Sequence, residues 1–387
     1  MLKINSLFFI FPIFFFQSVS IFASLLSVVA LTVFSILQIR SPIVLSKKVV
    51  LPLFLVILIL ISNMILHESL EQLLHLTFYI KDGQILSSIS LFIIFYFLIK
   101  RSKSDPLIYF ISGVSMLLII SIPYNYFFVH STPFFHAFFS SHNASAGLVG
   151  CLILTVIYLR YYTSIKPYFF TSNVFILLLF FLFILSNSRA FLLALIPSLF
   201  YFYLSLNVKL SIIKYVKILL YVILIFALIL YFNYDRIIDS FSGFDYNVNT
   251  RFFLYKVALE SFIDNPIFGI GFGLFNDTSF YKLNLNHDPQ IYSNFIYGDL
   301  HSHNQLLQLL SELGIFGALV FFVIFYLSFY LPQSHRLLVR GLFIYLFISS
   351  FFGLSFSAFS PSVFFYFILA YSIKYYGFTH SYLYRLR

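Results

Sequence analysis

Long apolar runs separated by short polar stretches make up most of this chain. Runs such as Val49–Leu66 and Lys217–Phe232 are each about long enough to cross a hydrocarbon core of roughly 30 Å at about 1.5 Å per helical residue. Twelve such runs are predicted as membrane spans: 5–20, 22–39, 49–66, 83–99, 106–122, 144–159, 168–185, 190–206, 217–232, 314–331, 341–357 and 361–376. The pattern changes between 233 and 313, a stretch of about 80 residues where apolar positions are spaced as on amphipathic helices, and a connection that long in a compact protein is usually functional. The predicted fold is an all-α polytopic membrane protein with about twelve transmembrane helices and one long periplasmic loop containing short amphipathic helices. It divides into nine spans over 1–232, the loop over 233–313, and three spans over 314–387.

Composition excludes a water-soluble reading. The 387 residues are 61% hydrophobic and 9% charged, whereas soluble domains carry roughly 25% charged residues. The single cysteine, Cys151, lies in an apolar run, so neither a disulfide framework nor a thiolate metal site is expected. Lys3 followed by an apolar stretch resembles a signal peptide but has no small-x-small cleavage pattern, so it is expected to remain as the first span.

Charge sets the orientation. With a cytoplasmic amino terminus, strict alternation puts Lys3, Arg40, Lys47, Lys48, Lys100, Arg101, Lys103, Arg160, Lys166, Lys209, Lys214, Lys217, Arg336, Arg340, Lys374, Arg385 and Arg387 inside, which is 17 of the 23 basic residues. Asp105 is the one acid that falls with them. The net charge of +10 is then a positive-inside signature and not a nucleic-acid footprint. Both termini are expected in the cytoplasm, and the 233–313 loop on the opposite face of the inner membrane.

Candidate chemistry gathers on that outer face. Arg189, in Asn187-Ser188-Arg189-Ala190, sits at a hairpin tip between two spans. It is either a snorkelling interfacial arginine or a phosphate ligand, since a planar guanidinium grips two oxygens at once. In Thr250–Phe262, the positions Leu254, Val257, Ala258, Ser261 and Phe262 form one helical face, with Lys256, Glu260 and Asp264 at i, i+4 on another. This helix is expected to lie along the membrane surface. Arg251 falls in its first turn and opposes the helix dipole; it is either solvated there or shares an anion with nearby amides. The alternating glycines of Pro266–Gly273 lack the strand and βαβ context of a dinucleotide fingerprint and read as a tight turn.

The densest cluster is Asp299-Leu300-His301-Ser302-His303-Asn304-Gln305, leading into a helix with Leu306, Leu307, Leu310 and Leu313 on its apolar face. Its histidines admit three readings: a metal pair that has no evident third ligand, interfacial polar residues, or a general base. Asp299 or Glu312 would supply an orienting carboxylate.

Taken in order, these pieces resemble the bacterial O-antigen ligase and polymerase family. The resemblance rests on Ser188-Arg189-Ala190, Arg251 with Tyr255, Pro266 through Gly273, and His301-Ser302-His303-Asn304 with Leu307, Glu312 and Gly314, and it covers roughly 186–325. Tyr255 stands where the family often has tryptophan, and this chain contains none. The resemblance implies transfer of a glycan from undecaprenyl diphosphate to an acceptor hydroxyl. It implies that Arg189 and Arg251 hold the diphosphate, that His303 is the base, and that His301, Asn304, Glu312 and Tyr255 support it. No cofactor or metal is expected, and attack by an activated hydroxyl predicts inversion at the anomeric carbon. The expected acceptor is the lipid A-core of lipopolysaccharide, which makes the protein a ligase. A repeat-unit polymerase of the same family, with a growing glycan as acceptor, is the alternative. A flippase or transporter would carry ionisable residues at mid-membrane depth, and the spans have essentially none there.

Overall fold

The computed structural model describes residues 47–67, 95, 96, 99, 106–128, 135, 142–163, 169, 171–205, 246–275, 278, 279, 301–330, 335–353, 355 and 361–373. The predicted spans 5–20, 22–39 and 217–232, most of 83–99, and Asp299 lie outside the described residues. Among the described residues there is no strand. The helices are α1 (Lys47–Leu66), α2 (Pro106–Phe128), α3 (His142–Tyr162), α4 (Asn173–Leu185), α5 (Arg189–Ser205), α6 (Tyr246–Asp264), α7 (Gln305–Leu313), α8 (Ile315–Phe329), α9 (Arg336–Ser349) and α10 (Pro361–Ile373).

Within the described residues, two helical stretches are long and apolar enough to cross a membrane, Phe110–Phe127 in α2 and His142–Tyr162 in α3. Shorter apolar helices follow at Phe54–Asn63, α4, α5, α8 and α10. One predicted span is displaced. The stretch expected at 341–357 is α9, Arg336–Ser349, so Arg340 lies within the helix and not before it. The reason is a cap: the Arg340 guanidinium donates to Phe329 O at 2.9 Å and lies over the Phe329 ring. It thereby satisfies a carbonyl in the last turn of α8 that has no partner within that helix. The span expected from 168 starts instead at Asn173, because Ser172 takes extended backbone and its Oγ accepts from Phe175 N.

Packing follows membrane rules. Lipid tails supply little hydrophobic force between helices, so small residues and interhelical hydrogen bonds decide which helices meet. On α3, a Cβ at Gly150 would sit 2.0 Å from the Tyr345 hydroxyl oxygen, and one at Gly147 would sit 2.9 Å from the Phe191 ring. The glycines therefore admit α9 and α5 against α3, and the Tyr345 hydroxyl donates to Ala146 O at 3.0 Å. Ala144, Ser145 and Ala146 open the same helix with small side chains, and Cys151 is fully buried in it. On the outside, α4 exposes Val174, Leu177, Phe181 and Ile184, and α8 exposes Ile315, Leu319, Phe322 and Tyr326. In water such continuous apolar stripes would be large sticky patches; against lipid they are ordinary surface.

The bundle has two chemically different ends. At one, Arg160 donates to Thr171 O and Asn173 Oδ1, Tyr158 bonds His335 Nδ1 at 2.9 Å, and Ser372 Oγ accepts from His335 N. At the other, the start of α3, the α4–α5 hairpin, the end of α9 and the start of α7 come together. Charge reading separates Arg160, Arg336 and Arg340 from Arg189, Arg251, His301 and His303, and these two groups fall at opposite ends.

Candidate active site

The core of the site is α7, a nine-residue helix too short to persist alone in water. Backbone groups left unshared at its two ends are met by other segments or by caps. At the amino end, Asn304 Oδ1 accepts from Leu306 N and Leu307 N, both at 3.1 Å. Gln305 N donates to Ser350 O at 2.8 Å, so the carbonyl that caps the end of α9 meets the amide that opens α7. At the carboxyl end, Ser311 O and Glu312 O accept from Ile270 N and Gly271 N at 2.9 and 3.0 Å, and Leu310 O from Gly314 N.

The glycine run is indeed a tight turn, and its role is close approach. A Cβ on Gly269 would lie 2.3 Å from Glu312 O, and one on Gly314 would lie 2.4 Å from Ile267 O; both glycines have positive φ. Two backbones thus run against each other where no side chain fits. The turn is held on its other side by α1. Asn63, 5% exposed, donates through Nδ2 to Phe268 O at 2.6 Å and accepts at Oδ1 from Phe272 N at 2.8 Å. Sequence reasoning missed Asn63. The available signal was a lone amide inside the apolar run 49–66, where an unsatisfied polar group is expensive.

The α6 face predicted to be apolar is the buried one: Leu254, Val257, Ala258 and Ser261 are buried, with Phe262 half-buried. It packs on Phe275, Ile270 and Leu307 of the turn and α7, which together form a small core of their own. The exposed apolar residues of α6 are instead Phe252, Leu259 and Ile263. The i, i+4 pair Lys256–Glu260 forms, at 3.9 Å, on an exposed face where it adds little stability. α7 also differs from its expected pattern. Leu306, Leu307 and Leu310 are half-buried, while Gln308 and Glu312 are 1% and 0% exposed. The helix is enclosed by α6, α8 and the turn, so burial is not confined to a leucine stripe.

His303 sits one residue before the cap, half-buried, with a φ of 51°. Left-handed backbone on a residue with a Cβ costs about 1–2 kcal/mol and persists where surrounding bonds enforce it. They do so here: Ser302 Oγ donates to Asn304 O at 2.7 Å and accepts from Asn304 N at 3.2 Å, and Ser302 N donates to Gln308 Oε1 at 2.7 Å. The His301 and His303 rings lie side by side, 4.1 Å between centroids. No group of three potential metal ligands occurs among the described residues. Glu312 Oε1 accepts from Gln308 Nε2 at 2.9 Å, so this carboxylate reaches the histidine loop through Gln308.

Asn187, with a φ of 49°, and His303 are the non-glycine residues of positive φ among those described; one precedes Ser188-Arg189 and the other is the candidate base. Arg189 is exposed and opens α5, as expected for a hairpin tip. Ser188 Oγ donates to Asn143 Oδ1 at 2.6 Å and ties the tip to the first turn of α3. Arg251 lies in the second turn of α6, because the helix begins at Tyr246 and not at Thr250; opposition to the dipole is therefore not its defining feature. It is half-buried and has no carboxylate partner among the described residues. One turn on, Tyr255 donates to Phe351 O at 3.1 Å. Burial raises the Tyr255 phenol pKa while the Arg251 charge pulls it down. Residues 350 and 351 are thus shared: α7 docks through Ser350 and α6 through Phe351. Arg251's helix and the His303 loop meet at the end of α9, and Arg189 is connected to it through α3 and Tyr345.

No curated protein matches the chain. A protein-family model described as O-antigen ligase matches residues 174–322. This segment runs from the start of α4 into α8 and includes Arg189, Arg251, Tyr255, the glycine turn, His301–Asn304, Glu312 and Gly314. The clamps Asn63, Asn143, Ser350 and Phe351 lie outside it. Over residues 174–322 the chain is therefore similar to the O-antigen ligase family.

Proposed function

We propose that the protein is an O-antigen ligase. It moves a glycan from undecaprenyl diphosphate to a hydroxyl of the lipid A-core, at the periplasmic face of the inner membrane. The observation that carries this reading is the His303 loop: an imidazole in enforced left-handed backbone, inside the matched segment, at the bundle end that also holds Arg189 and Arg251.

The chemistry needs no external energy source, since a diphosphate already leaves well. The acceptor hydroxyl gives its proton to His303 as its oxygen bonds the anomeric carbon. The bond from that carbon to the phosphate oxygen breaks, and undecaprenyl diphosphate leaves with the electron pair. Attack opposite the leaving group inverts the centre. Arg189 and Arg251 meet the charge that grows on the diphosphate. Arg189 does so beside the amino terminus of α5, where the helix dipole favours anions. The α7 amides at Gln305, Leu306 and Leu307 are committed to Ser350 and Asn304, so in this reading the arginines take the anionic load and α7 sets the base. Holding two lipid-borne partners at one interface adds an orientational advantage.

A lipopolysaccharide gel from a strain lacking the gene tests the assignment. A ligase leaves core without O-chain and lipid-linked polymer behind. Core bearing a single repeat would instead identify a repeat-unit polymerase, the alternative on the same site. A transporter reading is disfavoured because, among the described residues, the ionisable groups lie around α6, the turn and α7 or near helix ends and not midway along the apolar helices.

A further inference from the structure

We infer that Gln308 is a positioning residue for His303, and that Glu312 sets the orientation in which it works. This rests on the reading of His303 as base. Gln308 and Glu312 are one turn apart on α7 and are 1% and 0% exposed. The Gln308 amide is asymmetric: Oε1 accepts from Ser302 N at 2.7 Å and Nε2 donates to Glu312 Oε1 at 2.9 Å. An amide has one acceptor end and one donor end of nearly the same shape. Flipped, it would set N–H against the Ser302 N–H and oxygen against carboxylate oxygen, leaving buried polar groups unsatisfied. The carboxylate therefore selects the orientation that offers an acceptor to the histidine loop.

The consequence falls on His303. Ser302 is anchored from below by Gln308, and its hydroxyl in turn holds Asn304 by both N–H and C=O. His303 lies between these fixed residues with its φ at 51°, a conformation that relaxes once its surroundings stop enforcing it. Gln308 thus acts through backbone, without touching substrate. The sequence carried a trace of it in the i, i+4 spacing of Gln308 and Glu312, hidden among leucines.

The test uses the full chain in proteoliposomes with lipid-linked glycan and acceptor, and reads kcat and KM separately. Gln308→Met is expected to lower kcat by about 100-fold, the scale of a misplaced reacting group, with the donor KM unchanged. Glu312→Leu removes the acceptor that faces Gln308 Nε2 and is expected to lower kcat as Gln308→Met does, with the donor KM unchanged, whereas wild-type kcat there overturns the orienting role of Glu312. If Gln308→Met fails to accumulate, Gln308→Asn replaces it: the shorter amide keeps the polarity but does not reach Ser302 N, and the same loss in kcat is expected. Wild-type kcat in the accumulating Gln308 variant, alongside a dead His303→Ala, overturns the positioning role alone. Full transfer by His303→Ala overturns instead the base assignment on which it rests.

Discussion

Asn63 on α1 accepts a hydrogen bond from Phe272 N at 2.8 Å, across a sequence separation of 209 residues. Its Nδ2 meanwhile donates to Phe268 O, so both ends of one buried amide grip the turn that closes α7. Removing the side chain leaves Phe272 N buried without a partner, at a cost of about 1–3 kcal/mol, and frees the part-buried Phe268 O. Asn63→Leu is therefore expected to loosen residues 266–275 with α1 still in place. Hydrogen exchange at Phe272 should rise sharply in the variant; wild-type protection there would mean the clamp is incidental.

The facing glycines give a second prediction. Alanine at Gly314 meets Ile267 O and is left in a left-handed backbone, as is alanine at Gly269 against Glu312 O. The backbone term alone is about 1–2 kcal/mol, and the clash adds to it. Gly269→Ala and Gly314→Ala should each lower the thermal midpoint of the detergent-solubilised protein. Gly353, where a Cβ would meet nothing within 4 Å, is the control, and Gly353→Ala should leave the midpoint unchanged.

Much of this was legible in the sequence, and the gaps have physical causes. Arg189 at the hairpin, the buried face of α6 and the turn at Pro266–Gly273 follow from local periodicity and punctuation. The start of α9 at Arg336 did not, because two arginines look like a loop until Arg340 is seen capping α8 at Phe329 O. Arg251's turn was misplaced because the helix extends four residues before Thr250, through Tyr246-Asn247-Val248-Asn249, whose two asparagines read as a loop. Gln308, Ser302 and Asn63 matter through pairings with Glu312, Asn304 and Phe268 that depend on which backbones meet. Asn63 in particular lies far outside the matched segment.

Bidentate grip on the diphosphate separates arginine from lysine. Arg189→Ala and Arg251→Ala should each raise the KM for the lipid-linked donor and lower transfer. Arg189→Lys and Arg251→Lys should recover little of it, since a point charge lacks the guanidinium fork. Wild-type transfer with lysine at both positions would rule out the forked contact.

Orientation in the membrane is tested by fusion. A reporter placed after Phe275 should read as periplasmic and one after Arg336 as cytoplasmic, since these points lie at the two ends of the bundle. Reversal of both would put the His303 loop in the cytosol, away from the proposed donor.

The most direct test is release of undecaprenyl diphosphate coupled to glycan attachment, measured with purified full chain, lipid-linked donor and lipid A-core in a bilayer. His303→Ala removes the imidazole, and His303→Asn removes it while supplying a residue that tolerates left-handed backbone. Both should accumulate in the membrane, Asn at least as well as Ala, and both should fail to release the carrier or extend the acceptor. Wild-type turnover by His303→Asn would show that the loop's shape matters and its imidazole does not, and would contradict the role of His303 as base.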